Sequence, residues 1–173
     1  TVGDTFTITY TFSDYTFTDV GGGCPSAYAI SYLFDTRYII FSSTLASECV
    51  SHPGMTEAWD DACDMGNGQG LGGVEAEDKS APNMQEVTVS YATSNFDQGL
   101  KEEYVIEISY KAVYAGTCEF EGLYAQLMNF EGTEFIDADP SLLSFSIDVV
   151  EEAASEEPSE DPSSEAPAEE PAP

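Results

Sequence analysis

Residues Ala27–Ser43 read AYAISYLFDTRYIIFSS, and Tyr28, Ile30, Tyr32 and Phe34 alternate there with Ala27, Ala29, Ser31 and Leu33. A period of two with bulky residues on one side predicts a strand with one buried face. Asp35-Thr36-Arg37 is a polar break, and Tyr38–Phe41 reads as a second short apolar strand. The same alternation recurs along the chain. Asp4–Phe12 sets Phe6, Ile8, Tyr10 and Phe12 against threonines. Glu86–Ala92 sets Val87, Val89 and Tyr91 against Thr88, Ser90 and Ala92. Tyr104–Val113 alternates Tyr104, Ile106, Ile108 and Tyr110 with Val105, Glu107, Ser109 and Lys111. Cys118–Met128 is a further strand region, interrupted by Gly122, and Leu142–Val150 places Leu143, Phe145, Ile147 and Val149 on one face. Tyr15–Val20 reads as another short strand, followed by a turn or bulge at Gly21-Gly22-Gly23. Seven to nine strands rich in aromatic and β-branched residues predict an all-β, two-sheet sandwich over residues 1–150.

Two segments break the pattern. Ser51–Asn83 is Gly-rich and without strand period. Within it Met55–Met65 (MTEAWDDACDM) reads as a short helix, with Trp59, Ala62 and Cys63 on one side. An excursion of this length is a capping lid or a functional loop. After Val150 the composition changes sharply. Glu151–Pro173 holds nine acidic residues and five prolines, with no aromatic or β-branched residue. Such a segment buries too little apolar surface to offset chain entropy, so 151–173 reads as a disordered acidic linker.

The chain carries 33 acidic and 4 basic residues, a formal net charge of −29. A polyanion repels nucleic acid and anionic membrane surfaces, which leaves cationic protein patches or metal-loaded proteins as partners. No stretch approaches the ~20 apolar residues of a membrane span. With no initiator Met and no signal peptide, Thr1 reads as an internal cut in a longer precursor. The four cysteines, Cys24, Cys49, Cys63 and Cys118, form no CxxC pair, and His52 is the single histidine, so a zinc site is not expected. An even count suggests two disulfides in an oxidising compartment. Three connectivities are open; Cys49–Cys63 with Cys24–Cys118 is favoured, because Cys49 and Cys63 lie in one long insertion. Free structural thiols are the alternative.

Catalytic patterns are weak. Asp60, Asp61 and Asp64 cluster, and Glu119 and Glu121 alternate, as two carboxylates of a glycosidase would. With so many acids, close pairs arise by chance. There is no GxSxG, no HExxH and no Cys–His arrangement. The run Asp60–Gly68 is acidic and Gly-rich but out of register for a calcium loop, with no closing Glu. The tyrosines fall mostly on the apolar face, which leaves Trp59 as the one strong exposed platform for a sugar. The chain is therefore expected to be a non-enzyme.

The order of these elements resembles that of a cohesin, the receptor module of cellulosome scaffolding proteins. Gly3-Asp4-Thr5 before an alternating strand resembles the family's opening, and Tyr32-Leu33-Phe34-Asp35 resembles its aromatic-x-aromatic-Asp signature. Ala115-Gly116-Thr117 resembles its Gly turn, and Leu142–Val150 its closing strand. The long insertion and the four cysteines are similar to a divergent, Ruminococcus-like subtype. The resemblance implies a jelly roll of about nine strands that is extracellular, monomeric and without a cofactor of its own. It implies a calcium-loaded dockerin as partner, docked flat on one sheet in a polysaccharide-degrading complex. On this chain the implied face comprises Ala27, Ala29, Ser31 and Leu33; Thr88, Ser90 and Ala92; Glu107, Ser109 and Lys111; and Glu119, Glu121, Leu127 and Met128. Its small residues would floor a helix, Leu33, Leu127 and Met128 would anchor it, and the glutamates would meet Lys or Arg. The alternatives are a carbohydrate-binding sandwich, marked by exposed coplanar aromatics, and an adhesin- or pilus-like sandwich, marked by a long unpaired strand edge.

Overall fold

A computed structural model describes residues 1–17, 25–53, 64–65, 75–92, 103–129 and 132–153. The alternating segments form strands close to their expected bounds: β1 (Thr5–Phe12), β2 (Pro25–Asp35), β3 (Ile39–Phe41), β6 (Met84–Ala92), β7 (Tyr104–Ala112) and β8 (Gly116–Asn129). A single helical turn, α1 (Ala46–Cys49), leads into the two-residue β4 (Val50–Ser51). Asp64–Met65 form β5, so the end of the expected Met55–Met65 helix is strand; residues 54–63, Trp59 among them, lie outside the described residues. Tyr15–Phe17 form no strand but pack aromatic rings against the core, Tyr15 lying 6.1 Å from Tyr104.

The chain folds as an all-β sandwich of two antiparallel sheets. One sheet runs β1-β7-β3, with β4 also beside β7. The other runs β10 (Phe145–Val149)-β8-β2-β6-β5, with β9 (Phe135–Ala138) also beside β8. The last two strands, β9 and β10, flank a 3-10 turn at Pro140–Leu143 and pair with opposite halves of β8. The expected strand Leu142–Val150 therefore begins only at Phe145, because Pro140 and the Asp139 cap, which accepts from Ser141 N, wind the preceding residues into the turn. β9 was not expected.

The inward residues of both sheets interdigitate. Phe34 packs edge-on to Phe41 at 5.5 Å and stacks on Phe120 at 5.6 Å, and Phe120 stacks on Phe145 at 4.6 Å. Each fully buried aromatic or aliphatic side chain contributes about 1.5–3 kcal/mol. At the centre the hydroxyls of Tyr32 and Tyr110, one from each sheet, hydrogen-bond to each other. Burial first, then the neighbouring tyrosines, raises the pKa of both well above the usual value.

A polar knot closes one end. The Asp35 carboxylate accepts from Arg37 N (3.0 Å), Arg37 Nη2 (2.6 Å) and Asn83 N (3.2 Å). Thr36 N donates to Asn83 O and Ala76 N to Thr36 O, which ties the segment 76–83 to the β2–β3 turn. The expected disulfides are corrected here. Cys49 and Cys118 are free, buried thiols, and Cys24 and Cys63 lie outside the described residues. Cys49 Sγ is taken up by Ser43, accepting from its N and facing its carbonyl at 3.1 Å. Cys118 Sγ donates to the Asp35 carbonyl at the end of β2 opposite Pro25. The tail from Ser155 on, like Ala154, is outside the described residues.

Candidate functional site

The outer face of the larger sheet is built in rows. Ala27 on β2 sits between Met128 on β8 and Ala92 on β6. Ala29 lies between Gln126 and Ser90, Ser31 between Tyr124 and Thr88, and Leu33 between Glu121 and Glu86. β9 extends two of these rows with Phe135 beside Met128 and Asp137 beside Gln126. On the other half of β8, Glu119 pairs with Ser146. The middle strand thus carries small side chains while its neighbour carries tall ones. Tyr124 is 43 % and Phe135 53 % exposed. Four adjacent strands at ~4.8 Å spacing give a face of roughly 15 Å, wider than the ~10–12 Å of a helix.

Eight of the fourteen expected residues keep their outward place here: Ala27, Ala29, Leu33, Thr88, Ser90, Glu119, Glu121 and Met128. Ala92 is placed by its backbone register alone. Ser31 faces the same way, yet it is 0 % exposed, closed off between Tyr124 and Thr88, whose hydroxyl donates to it at 3.2 Å. It is corrected from a contact residue to the covered floor.

Two further corrections have one cause each. Glu107, Ser109 and Lys111 are on β7, which belongs to the other sheet, so their outer face points to the opposite side of the sandwich. There they join the threonine face of β1, with Thr7 Oγ1 3.2 Å from Ser109 Oγ and Ser51 donating to Glu107. Leu127 is 2 % exposed and lies in the core. The register of β8 against β2 skips Leu123 between Gly122 and Tyr124, a bulge that reverses which residues face inward. Cys118 and Phe120 point in before it; Ala125 and Leu127 point in after it. The same reversal brings out Tyr124 and Gln126, which the uniform alternation did not nominate.

The charge on this face is of one sign. Glu86, Glu119, Glu121, Asp137 and Asp148 lie on it, and among the described residues its strands carry no Lys or Arg. Gln126 donates to Asp137 at 2.7 Å and Thr117 to Asp148 at 2.7 Å, which orients these carboxylates along the rim. Among the described residues no three His, Cys, Asp or Glu side chains gather as a metal site, and no helix is long and apolar enough to cross a membrane. No protein-family model, curated protein or solved structure matches the chain.

Proposed function

We propose that this chain is a non-catalytic docking receptor that takes a helical partner on the outer face of β8, β2 and β6. The observation that carries the reading is the relief of that face. Ala27, Ala29 and the covered Ser31 form a low central track, and Leu33, Tyr124, Met128 and Phe135 stand around it as apolar anchors. The carboxylates at its rim attract a partner bearing Lys or Arg and speed its encounter. The resemblance to cohesins makes that partner a calcium-loaded dockerin, and the setting an extracellular polysaccharide-degrading complex. The cohesin identity, the absence of catalysis and the secreted location are part of the same proposal.

The test is binding to a panel of calcium-loaded dockerins, with and without chelator. Tight binding that chelation abolishes supports the receptor reading, because calcium folds the partner. Absence of binding to every dockerin overturns the dockerin assignment. A second reading is favoured by the exposed rings of Tyr124 and Phe135 on one face: a carbohydrate-binding sandwich. Retention on a polysaccharide column, lost in Tyr124→Ala, supports that reading instead.

A further inference from the structure

We propose that the open edge of β1 is a second docking site, one that takes an extended peptide with a large apolar residue and a Lys or Arg beyond it at the end that lies beside Phe12. β1 ends its sheet, with β7 on one side and no strand on the other among the described residues. Two bonds show which backbone groups are free. Ala112 N donates to Asp4 O, and Ser42 N takes the carbonyl of Ser109 on the far side of β7. The even-numbered residues of β7 therefore bond β1, through Phe6, Ile8, Tyr10 and Phe12. The N–H and C=O groups of Thr5, Thr7, Thr9 and Thr11 are left pointing to the open side. The strand, TFTITYTF, has no charge, Pro or Gly to discourage pairing. Natural sandwiches block such edges, and an unblocked one is a template for another strand.

A groove runs along this edge. It has a volume of about 180 Å³ and lies between Thr9–Phe12 and the β9 turn, with Ile30 and Ala125 in its floor and Leu142 on its rim. A cavity of ~150 Å³ takes a benzene ring, so this one seats one large apolar side chain. Backbone groups on one wall and apolar surface on the other suit a strand rather than a helix or a sugar. Charge selects among strands. Asp139 lines the groove, Asp14 stands two residues past Phe12, and Glu103 precedes Tyr104, the partner of Phe12. Lys111 is at the other end, opposite Thr5. A second copy would bring its own −29 charge, which opposes pairing of two β1 edges.

The experiment uses the full chain and synthetic fluorescent peptides as long as β1, of alternating Thr and Val around a central Phe, ended by Lys or by Glu. The Lys-ended peptide is expected to bind about tenfold tighter than the Glu-ended one at low salt, with the gap closing as salt rises. Amide exchange at Thr9 and Thr11 should slow about tenfold on binding. Thr9→Pro, which removes an outward N–H on an edge strand, should weaken binding about tenfold. Leu142→Ser, which removes the apolar rim without adding charge, should do the same, and Leu142 is 78 % exposed, so this variant keeps the fold if the proline variant does not. Leu33→Asp, on the face proposed for the helical partner, should leave peptide binding unchanged. Failure of both peptides to bind, or binding indifferent to both edge variants, overturns the proposal. So does a dimer in sedimentation that Thr9→Pro dissociates, which would give the edge to a second copy.

Discussion

The carbonyl of Pro140 occupies the space that a side chain at Gly122 would need, and the Leu143 Cβ lies 2.7 Å from the same point. Gly122 opens the β8 bulge, and the 3-10 turn between β9 and β10 is seated directly on it. Ser144 Oγ accepts from Gly122 N at 2.9 Å and holds the turn down. The obstruction is backbone, which cannot rotate aside. Gly122→Ala should therefore destabilise the fold by about 1–3 kcal/mol, the usual cost of overpacking. Urea denaturation followed by circular dichroism measures this; an unchanged midpoint would refute the close approach.

The two leucines nominated as anchors should separate. Leu33→Asp should cost no more than about 1 kcal/mol of stability, from the like charges of Glu86 and Glu121 beside it, and weaken binding of the proposed helical partner at least about tenfold, as should Ser90→Arg. Leu127→Ala should cost about 2–5 kcal/mol of stability through the cavity it leaves. Glu107→Lys and Lys111→Glu, on the opposite sheet, should change neither quantity much. Calorimetric titration alongside thermal melts checks all of these, and a binding loss in Lys111→Glu would contradict the assigned face.

The tyrosine pair at the core offers a contrast. Tyr110→Phe leaves the buried Tyr32 hydroxyl without its partner and should cost about 1–3 kcal/mol. The neighbouring Tyr10 hydroxyl is buried but makes no hydrogen bond of good geometry, so Tyr10→Phe should be neutral or slightly stabilising. Equal losses in the two variants, measured by urea denaturation, would contradict this arrangement.

Asp35 makes stability depend on acid. Burial opposes its ionisation, but the bonds from Arg37 and Asn83 outweigh that, and its pKa falls below the ordinary value of 3.8. In the folded state the proton is therefore bound less readily than in the unfolded state. The stabilisation is present above about pH 4 and is lost as pH falls through the lowered folded pKa. Asp35→Asn removes it. The stability difference between wild type and Asp35→Asn should be constant at neutral pH and shrink below about pH 4, read from denaturation curves at each pH. A difference that stays level into the acid range would count against the Asp35–Arg37 account.

Burial first of all, then the nearby Asp35 and Glu119 carboxylates against the bond to the Asp35 carbonyl, pushes the Cys118 thiol up to about 12. The thiolate is the reactive form, so Cys118 should resist alkylation at pH 8 in the native protein and react in denaturant. Peptide mapping after iodoacetamide treatment distinguishes the two, and native-state labelling of Cys118 would show the thiol to be accessible.

The long alternating runs were legible residue by residue. In β1, β2, β6 and β7 the bulky apolar residues expected inward, from Phe6 to Tyr110, pack in the core wherever their side chains are described, with the small Ser31 as the one outward residue covered by its neighbours. β8 was legible only up to Gly122. One extra residue at Leu123 reverses the parity, and a sequence carries no mark of whether a glycine interrupts a strand or merely passes through it. This alone moved Leu127 into the core and Tyr124 onto the surface. β9 was missed because four residues before Asp139-Pro140 are too few to establish a period. The free state of Cys49 and Cys118 was the alternative, not the favoured expectation, since cysteine spacing says nothing about which thiols come within bonding distance.

What the sequence by itself determined is the local state of the chain: where it is extended, which side of each strand is apolar, and how negative the surface is. These follow from side-chain size, period and charge, all of which are properties of neighbours along the chain. Which strands share a sheet was decided only by tertiary structure. β2, β6 and β7 have nearly the same alternation, yet β7 joins β1 in the opposite layer and takes Glu107, Ser109 and Lys111 with it. Either layer buries the inward face of such a strand equally well, so period alone cannot choose. The choice is made by which backbone edges meet, and that same pairing assembles the outer face of β8, β2 and β6 and leaves the edge of β1 open.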